Sequence, residues 1–544
     1  MLLLRMLRAP GMSLALSFGL VYLAGALFFH VYRREWVGDA ISRTANAMYV
    51  VFSRDPHLGA IGFVWLPGPT VIQLPLVLLM DLFHIPLFAG NLMSVLCSVA
   101  TLLVLYGFLR DMGVSRGWRI ALLVPYALHP MTLYYAVSGM SEAPFVLLVL
   151  IVVWQFTAYI HDRTVRPLFF GGMALAGAMW TRYEAIPLLL AVAIAITLYE
   201  VEGRDEGDPV PRTEAVLLTA LSPAVLSFFM WLFFNAIITG DPLYFLNSSF
   251  GPTAQLKAFL GSQGPEVQQA SKSLAAAVVF GVKRMLLASP LFLPLTAVVT
   301  GLAVYRRDWR LIGVLGIGGS QVVFAVYQLG TGGSFGWYRF FITAVPLTIV
   351  FAVVAVEPYR RTVRQRVYAT VVAGMVIACG TAAYGFTLPT VALEEQPVVR
   401  HLFDPSYPDM ESGRRRISEE MAAYIDRLPP GKFVYVETFQ SWGVAATLRT
   451  RDRVVITNDR DSGVLLDDPV NQLDYILVPM SGGLAELGEI AQRFPGLYEF
   501  GAPWVELERE FKFDRGAWRL YRVLKGPEGT GEVPPPPAAP GGGT

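Results

Sequence analysis

Asp39 and Arg43 stand in the stretch Arg33-Arg34-Glu35-Trp36-Val37-Gly38-Asp39-Ala40-Ile41-Ser42-Arg43, directly after the first long apolar run. If the chain is helical from Ala40, an i, i+4 spacing puts both side chains on one face. A carboxylate there is a candidate general base, and a nearby arginine either keeps it ionised or grips a phosphate. The competing reading makes Asp39 the N-cap of an amphipathic surface helix, with Arg43 in solvent. Similar groups recur at other span ends: Asp55 and His57, Glu142 in Ser138-Gly139-Met140-Ser141-Glu142-Ala143-Pro144, Arg182 and Glu184 flanking Tyr183, and Tyr338-Arg339. Each has a plain structural alternative. Glu142 is also a first-turn acid favoured by a helix dipole, and Arg182 with Glu184 could snorkel to headgroups. Tyr338 and Arg339 also fit an aromatic belt, and Asp55-Pro56-His57 a turn.

The elements that must position these groups follow from composition. The 544 residues are 54% hydrophobic and only 16% charged, with a mean hydropathy of +0.49. A soluble chain carries about a quarter charged residues, so this is a polytopic membrane protein. No basic block with interleaved aromatics suggests nucleic acid. Cys97 and Cys379 lie in apolar runs and read as small buried hydrophobes. His30, His84 and His129 are isolated at span ends and take no role.

About eleven crossings are expected, at about 12–32, 88–109, 119–136, 143–160, 167–180, 184–200, 213–238, 285–305, 309–328, 339–356 and 367–387. The first reads as an uncleaved span with its N-terminus in the cytoplasm. Residues 70–83, broken by proline, read as a re-entrant or interfacial helix. That choice keeps the arginine clusters (Arg110/Arg116/Arg119, Arg163/Arg166, Arg204/Arg212, Arg306/Arg307/Arg310, Arg360/Arg361/Arg364/Arg366) on the cytoplasmic side. The connections at 137–142 and 329–338 carry no Lys or Arg and fall outside, while the first outside loop, with four arginines, is the exception. The expected organisation is therefore a mainly α, polytopic helical bundle over 1–390 and a small extracytoplasmic α/β domain over 391–526. A disordered Pro/Gly-rich tail follows over 527–544. Strands are expected at 432–437, 453–457, 475–479 and 518–523, with helices at 414–427 and 483–494. The multi-pass chain is placed in the plasma (cytoplasmic) membrane.

Acids and arginines thus meet at the outer face. Arginine binds phosphate bidentately, and a carboxylate can take a proton from a hydroxyl. A lipid phosphate with a hydroxyl acceptor outside is the chemistry of sugar transfer from a polyprenyl-phosphate carrier. The order of motifs over 1–390 resembles the GT-C superfamily of integral-membrane glycosyltransferases, in the branch of aminoarabinose transferase and protein O-mannosyltransferases. The matching pieces are Gly38, Asp39 and Arg43; Trp65-Leu66-Pro67-Gly68-Pro69; Ser138 to Pro144; Thr181 to Glu184; and Tyr338, Arg339 and Pro346.

That resemblance implies Asp39 as the catalytic base, Glu142 as a second acid, and Arg182, Arg339 and Arg43 on the donor phosphate. Asp55, His57, Tyr183, Glu184 and Tyr338 are expected to line the cavity. The expected partners are the lipid bilayer, a polyprenyl-phosphate sugar donor, and a glycan, lipid or protein acceptor. Ala40 follows Asp39 where many members carry a second acid, so no cofactor is required, and a divalent metal, though possible, is not supported by the first-loop sequence. Leu66 stands where some members carry a lysine, which leaves phosphate neutralisation to arginine. The alternative is a lipid-phosphate or lipid-linked-sugar transporter or flippase without transfer chemistry. Paired repeats and mid-span acids would mark it, and the sequence displays neither.

Overall fold

Apolar runs of this length have one economical solution in lipid, a helix that satisfies its own backbone. The computed structural model describes residues 10–202, 211–259, 264–513 and 516–525. Arg5, Arg8, Arg204 and the expected tail from 527 lie outside them. Seven helices are long and apolar enough to cross a membrane: Gly11–Tyr32, Pro86–Asp111, Glu142–Asp162, Arg212–Thr239, Trp309–Gly330, Tyr338–Val356 and Arg361–Thr387. Two bent pairs join them, Arg116–Ala127 with Pro130–Val137 at 68° and Leu274–Ala288 with Phe292–Arg306 at 107°. Pro130 and Pro290 sit at the two breaks, where a missing N–H and a fixed φ interrupt the ladder. That makes seven spans, or nine if each bent pair is one, among the described residues; the crossings expected at 167–180 and 184–200 fall on the shorter apolar helices Val165–Met179 and Ala185–Val201. Gly68–Asp81 is only 14 residues long with Pro75 inside it. It spans about 21 Å against a hydrocarbon core of about 30 Å.

The chain divides into two compact units, each assembled from separated stretches. Of the described residues, one comprises 10–34, 90–202, 211–237 and 264–407; the other comprises 35–89, 238–259, 408–513 and 516–525. In the first, Tyr338–Val356 is the inner helix, with 94% of its apolar window buried against 28% for Arg212–Thr239 and Arg361–Thr387. The latter two present large apolar side chains outward, such as Leu226, Phe229, Phe233, Val376 and Ile377. That is the face a bilayer solvates.

The second unit is built on a five-stranded sheet, β1 (Val434–Val436), β2 (Val454–Ile456), β3 (Tyr475–Pro479), β4 (Val505–Phe513) and β5 (Gly516–Val523). Its order is β2-β1-β3-β5-β4, with β2, β1 and β3 parallel and β5 antiparallel to both neighbours. Alternate residues feed two cores. Val434, Val436, Leu477 and Leu520 face one, and Tyr435, Val455, Ile476 and Val478 face the other. The helix Gly38–Phe52 joins the first core through Ala45 and Tyr49, and the Tyr49 hydroxyl donates to the Trp442 carbonyl at 3.3 Å. The first loop buries its apolar face in the unit that carries the sheet.

Two local expectations change. β4 is an added strand, whose alternation of Val505 and Phe511 with charged residues makes a charged sheet edge. The helix expected at 483–494 is two short pieces, Gly483–Leu487 and Glu489–Arg493, divided at Gly488. A Cβ at Gly488 would run into the Glu437 carboxylate, so only glycine fits there.

Glu437 itself is fully buried at the end of β1, and neither oxygen finds a hydrogen-bond partner among the described residues. Burial, reinforced by Glu489, pushes its carboxyl up to about 8. A raised carboxyl contributes stability that is complete below its ordinary value and lost as pH rises through the folded value. We therefore expect the thermal unfolding midpoint of the whole protein in detergent to fall between pH 5 and pH 8. Glu437→Gln should flatten that slope; an unchanged slope in the variant would remove Glu437 as its source.

Candidate active site

Three chain reversals in the first unit each deliver an ionisable side chain. Gly139, at φ +83°, turns the chain between Pro130–Val137 and Glu142–Asp162. Asn91 donates to the Val137 carbonyl at 2.6 Å and Ser94 to the Met140 carbonyl at 3.3 Å, which pins that turn. Glu142 then opens its helix as a first-turn acid, where the dipole favours a carboxylate. Arg182 and Glu184 lie in the turn before Ala185–Glu202, held by Thr181 donating to the Gly177 carbonyl at 2.7 Å. Arg339 belongs to the 3₁₀ turn Tyr338–Phe341. Its guanidinium stacks over Trp337 at 3.8 Å, and Trp337 in turn stacks on Phe335.

These reversals converge. Glu142, 1% exposed at its side chain, uses Oε1 to bridge Arg182 and Arg339, the latter ion pair at 3.2 Å. Arg182 also clasps Glu184 through Nη2 at 2.7 Å and through Nε at 3.2 Å to both oxygens. Burial alone would raise the Glu184 carboxyl, but the adjoining Arg182 guanidinium outweighs it and holds Glu184 below its usual range. Arg339 also donates to Glu394, just before the helix Glu395–Phe403. Glu142 Oε2 is buried and has no hydrogen-bond partner among the described residues.

Three more groups in this unit escaped the sequence reading. Glu394 is one. Beside it, Glu395 accepts from the Tyr135 hydroxyl, and burial raises its carboxyl. Arg284 is buried, stacks on Phe280 at 3.2 Å and donates to the Thr390 carbonyl at 2.8 Å. An arginine inside an apolar run was the available signal for it. The two adjacent glutamates offered a weaker one, since they follow the last span at the start of a polar region. Of the residues expected to line a cavity, Tyr183 is half-buried in the turn beside Arg182. Tyr338 points into packing, its ring edge-on to Phe386 at 5.9 Å, and takes no part in the charge network.

In the second unit, Asp39 is the second residue of the helix Gly38–Phe52; the N-cap is Val37. Arg43 donates to the Asp39 backbone carbonyl at 3.3 Å and stacks over Trp65 at 4.6 Å. A Cβ on Gly38 would lie 3.4 Å from Glu411, so glycine leaves that carboxyl close access to the start of the helix. Burial raises the Glu411 carboxyl, and the negative charges of Asp409 and Asp39 add to the rise against Arg414, which donates to it at 3.1 Å. Asp55 accepts from Arg460 Nε at 2.9 Å and from its backbone N–H at 3.0 Å, which holds its carboxyl well below the usual range. His57 Nδ1 lies 2.7 Å from the Asp55 carbonyl oxygen. That pair reads as a clamp on the first loop.

Residues 68–231 match one family model, described as dolichyl-phosphate-mannose-protein mannosyltransferase. The matched stretch contains Glu142, Arg182 and Glu184 but neither Asp39 nor Arg339. No curated protein matches the sequence. Among solved structures, the chain is similar to ArnT from Cupriavidus metallidurans bound to undecaprenyl phosphate, at 13% identity and a TM-score of 0.45, over 93% of this chain and 98% of that one. It is also similar to the apo oligosaccharyltransferase of Archaeoglobus fulgidus, at 9% identity and a TM-score of 0.43, over 89% of this chain and 70% of that one. A third similar structure is AglB from the same organism with an inhibitory peptide and a dolichol-phosphate, at 10% identity and a TM-score of 0.41, over 85% and 69% of the two chains.

Proposed function

We propose that this protein moves a sugar from a polyprenyl-phosphate-linked donor to a hydroxyl acceptor at the extracytoplasmic face of the membrane, with inversion. The observation that carries the reading is Glu142 joining two arginines from separate chain reversals in one buried network. Buried charge in a membrane bundle is costly and marks a polar substrate path. The family match over 68–231 supports the same chemistry, and the alternation of arginine-rich with arginine-free connections supports the assigned face.

In this reading Arg182 and Arg339, with Arg43 as a further candidate, neutralise the donor phosphate. The buried Oε2 of Glu142 takes a hydroxyl of the sugar. Asp39 removes the proton from the acceptor hydroxyl. The acceptor oxygen forms a bond to the anomeric carbon as the bond from that carbon to the phosphate oxygen breaks. The electron pair leaves on the polyprenyl phosphate, where guanidinium charge stabilises it. Phosphate is a good enough leaving group that the step needs no general acid, and the reading assigns no metal a role.

The test is release of radiolabelled sugar from a polyprenyl-phosphate donor in nanodiscs. Arg339→Ala should weaken donor binding by about 1.5–3 kcal/mol, the worth of a charge-assisted hydrogen bond. Equal donor affinity in Arg339→Ala and the wild type would refute a phosphate role for this arginine.

A further inference from the structure

Three carboxylates, Glu142, Glu184 and Glu394, stand against the two guanidiniums of Arg182 and Arg339. These five side chains alone hold one more carboxylate than guanidinium, so a phosphate that approaches Arg182 or Arg339 meets a carboxylate already paired there. The three acids differ in what their removal costs. Glu142 is 1% exposed at its side chain and bridges both arginines, whereas the Glu394 side chain is 32% exposed. A partly exposed carboxylate returns to water cheaply; a fully buried one does not.

The turn that carries Glu394 is fastened independently of that side chain. Arg284 holds the Thr390 carbonyl at 2.8 Å on one side, and Glu395 takes the Tyr135 hydroxyl on the other. Glu394 can leave Arg339 by rotating about its own side-chain bonds while the backbone stays in place.

We propose that Glu394 is a tethered stand-in for the donor phosphate: it occupies Arg339 when the site is empty, yields to the donor, and competes again with the product. The inference rests on the lipid-phosphate reading of these arginines. Its charge balance is simple. A sugar phosphoryl-polyprenol is a phosphodiester with one negative charge, so its exchange for the Glu394 carboxylate leaves the network's charge unchanged. Transfer converts the diester into a phosphomonoester, which gains a second ionisable oxygen. The site then holds more negative charge than it did before the reaction, and the return of Glu394 to Arg339 favours departure of the product. Glu394 is thus a positioning residue that keeps Arg339 oriented and paired between turnovers.

The experiment measures binding of geranylgeranyl phosphate, a polyprenyl phosphomonoester, to the full chain in nanodiscs for wild type, Glu394→Gln, Glu394→Asp, Arg339→Gln and the double variant. Glu394→Gln should bind about tenfold tighter than wild type, because the competing charge is gone. Glu394→Asp, which keeps the charge on a shorter arm, should fall between them. The gain should vanish in the Arg339→Gln/Glu394→Gln double variant. Turnover should show a matching split, with a lower KM for the donor and a kcat that falls as product is retained. A purely structural ion pair would change unfolding temperature and leave both affinities alone. If Arg339→Gln weakens binding while Glu394→Gln and Glu394→Asp match the wild type, the stand-in role is overturned and the phosphate reading stands. If Arg339→Gln binds as the wild type does, the phosphate reading fails and takes this inference with it.

Discussion

Asp39→Asn should lower sugar transfer by about 10² or more while donor binding stays unchanged, because a positioned general base is worth that factor. The prediction gains force from where the helix begins. Val37, and not Asp39, is the N-cap of Gly38–Phe52. The carboxylate at the second helical position interacts with the helix dipole, worth about 0.3–1 kcal/mol. Loss of that amount shifts unfolding slightly, and Arg182 and Arg339 belong to the other unit. A structural role thus predicts a small change in stability and full turnover. The proposed role predicts the reverse, a folded variant that binds donor and hardly transfers. Measured side by side in nanodiscs, full turnover by Asp39→Asn would return the first loop to ordinary structure.

Removal of Glu142 should produce the largest loss of stability. Its Oε1 serves both Arg182 and Arg339, so Glu142→Ala leaves two guanidiniums short of a partner in a buried setting. Breaking a buried pair from one side costs about 3–5 kcal/mol, since the remaining charge keeps its desolvation penalty. Arg182 retains Glu184 and Arg339 retains Glu394, which limits the loss. Glu142→Gln keeps the shape and one acceptor and should lose less. Unfolding of the full chain in mixed micelles gives the free-energy difference directly. A loss below about 1 kcal/mol in Glu142→Ala, the value of an exposed pair, would mean that the network is solvated and not buried.

Much of the architecture was legible because its causes are local. A run of about twenty apolar residues determines a spanning helix wherever it occurs, and seven of the eleven expected crossings, or nine if each bent pair is one span, are helices long and apolar enough to cross. Proline at 69 and 75 marked the short helix, whereas the breaks at Pro130 and Pro290 fall inside the spans expected to run unbroken over 119–136 and 285–305. β1, β2, β3 and β5 announced themselves as β-branched and aromatic runs between turn residues. β4 did not, because its alternating charges look the same in an exposed helix or loop and only pairing with β5 makes them a sheet edge. Similarly, the helical period over 483–494 concealed that the Glu437 carboxylate, from another strand, takes the space a side chain at 488 would need.

The sequence also marked Glu142, Arg182, Glu184 and Arg339 as charges at span ends, since charge is rare enough in apolar sequence to be conspicuous. Which charge meets which was decided only by tertiary structure. Arg182 and Glu142 are 40 positions apart, and Arg339 and Glu394 are 55. No periodicity reaches that far, because the direction of each turn depends on how whole helices pack. The first loop is the clearest case. Its own sequence determines an amphipathic helix with Asp39 in the first turn, but the partners of that helix, Trp442 and Glu411, lie almost 400 residues further along. They are chosen by the match between a buried helical face and a sheet core, and such a match exists only once both are folded.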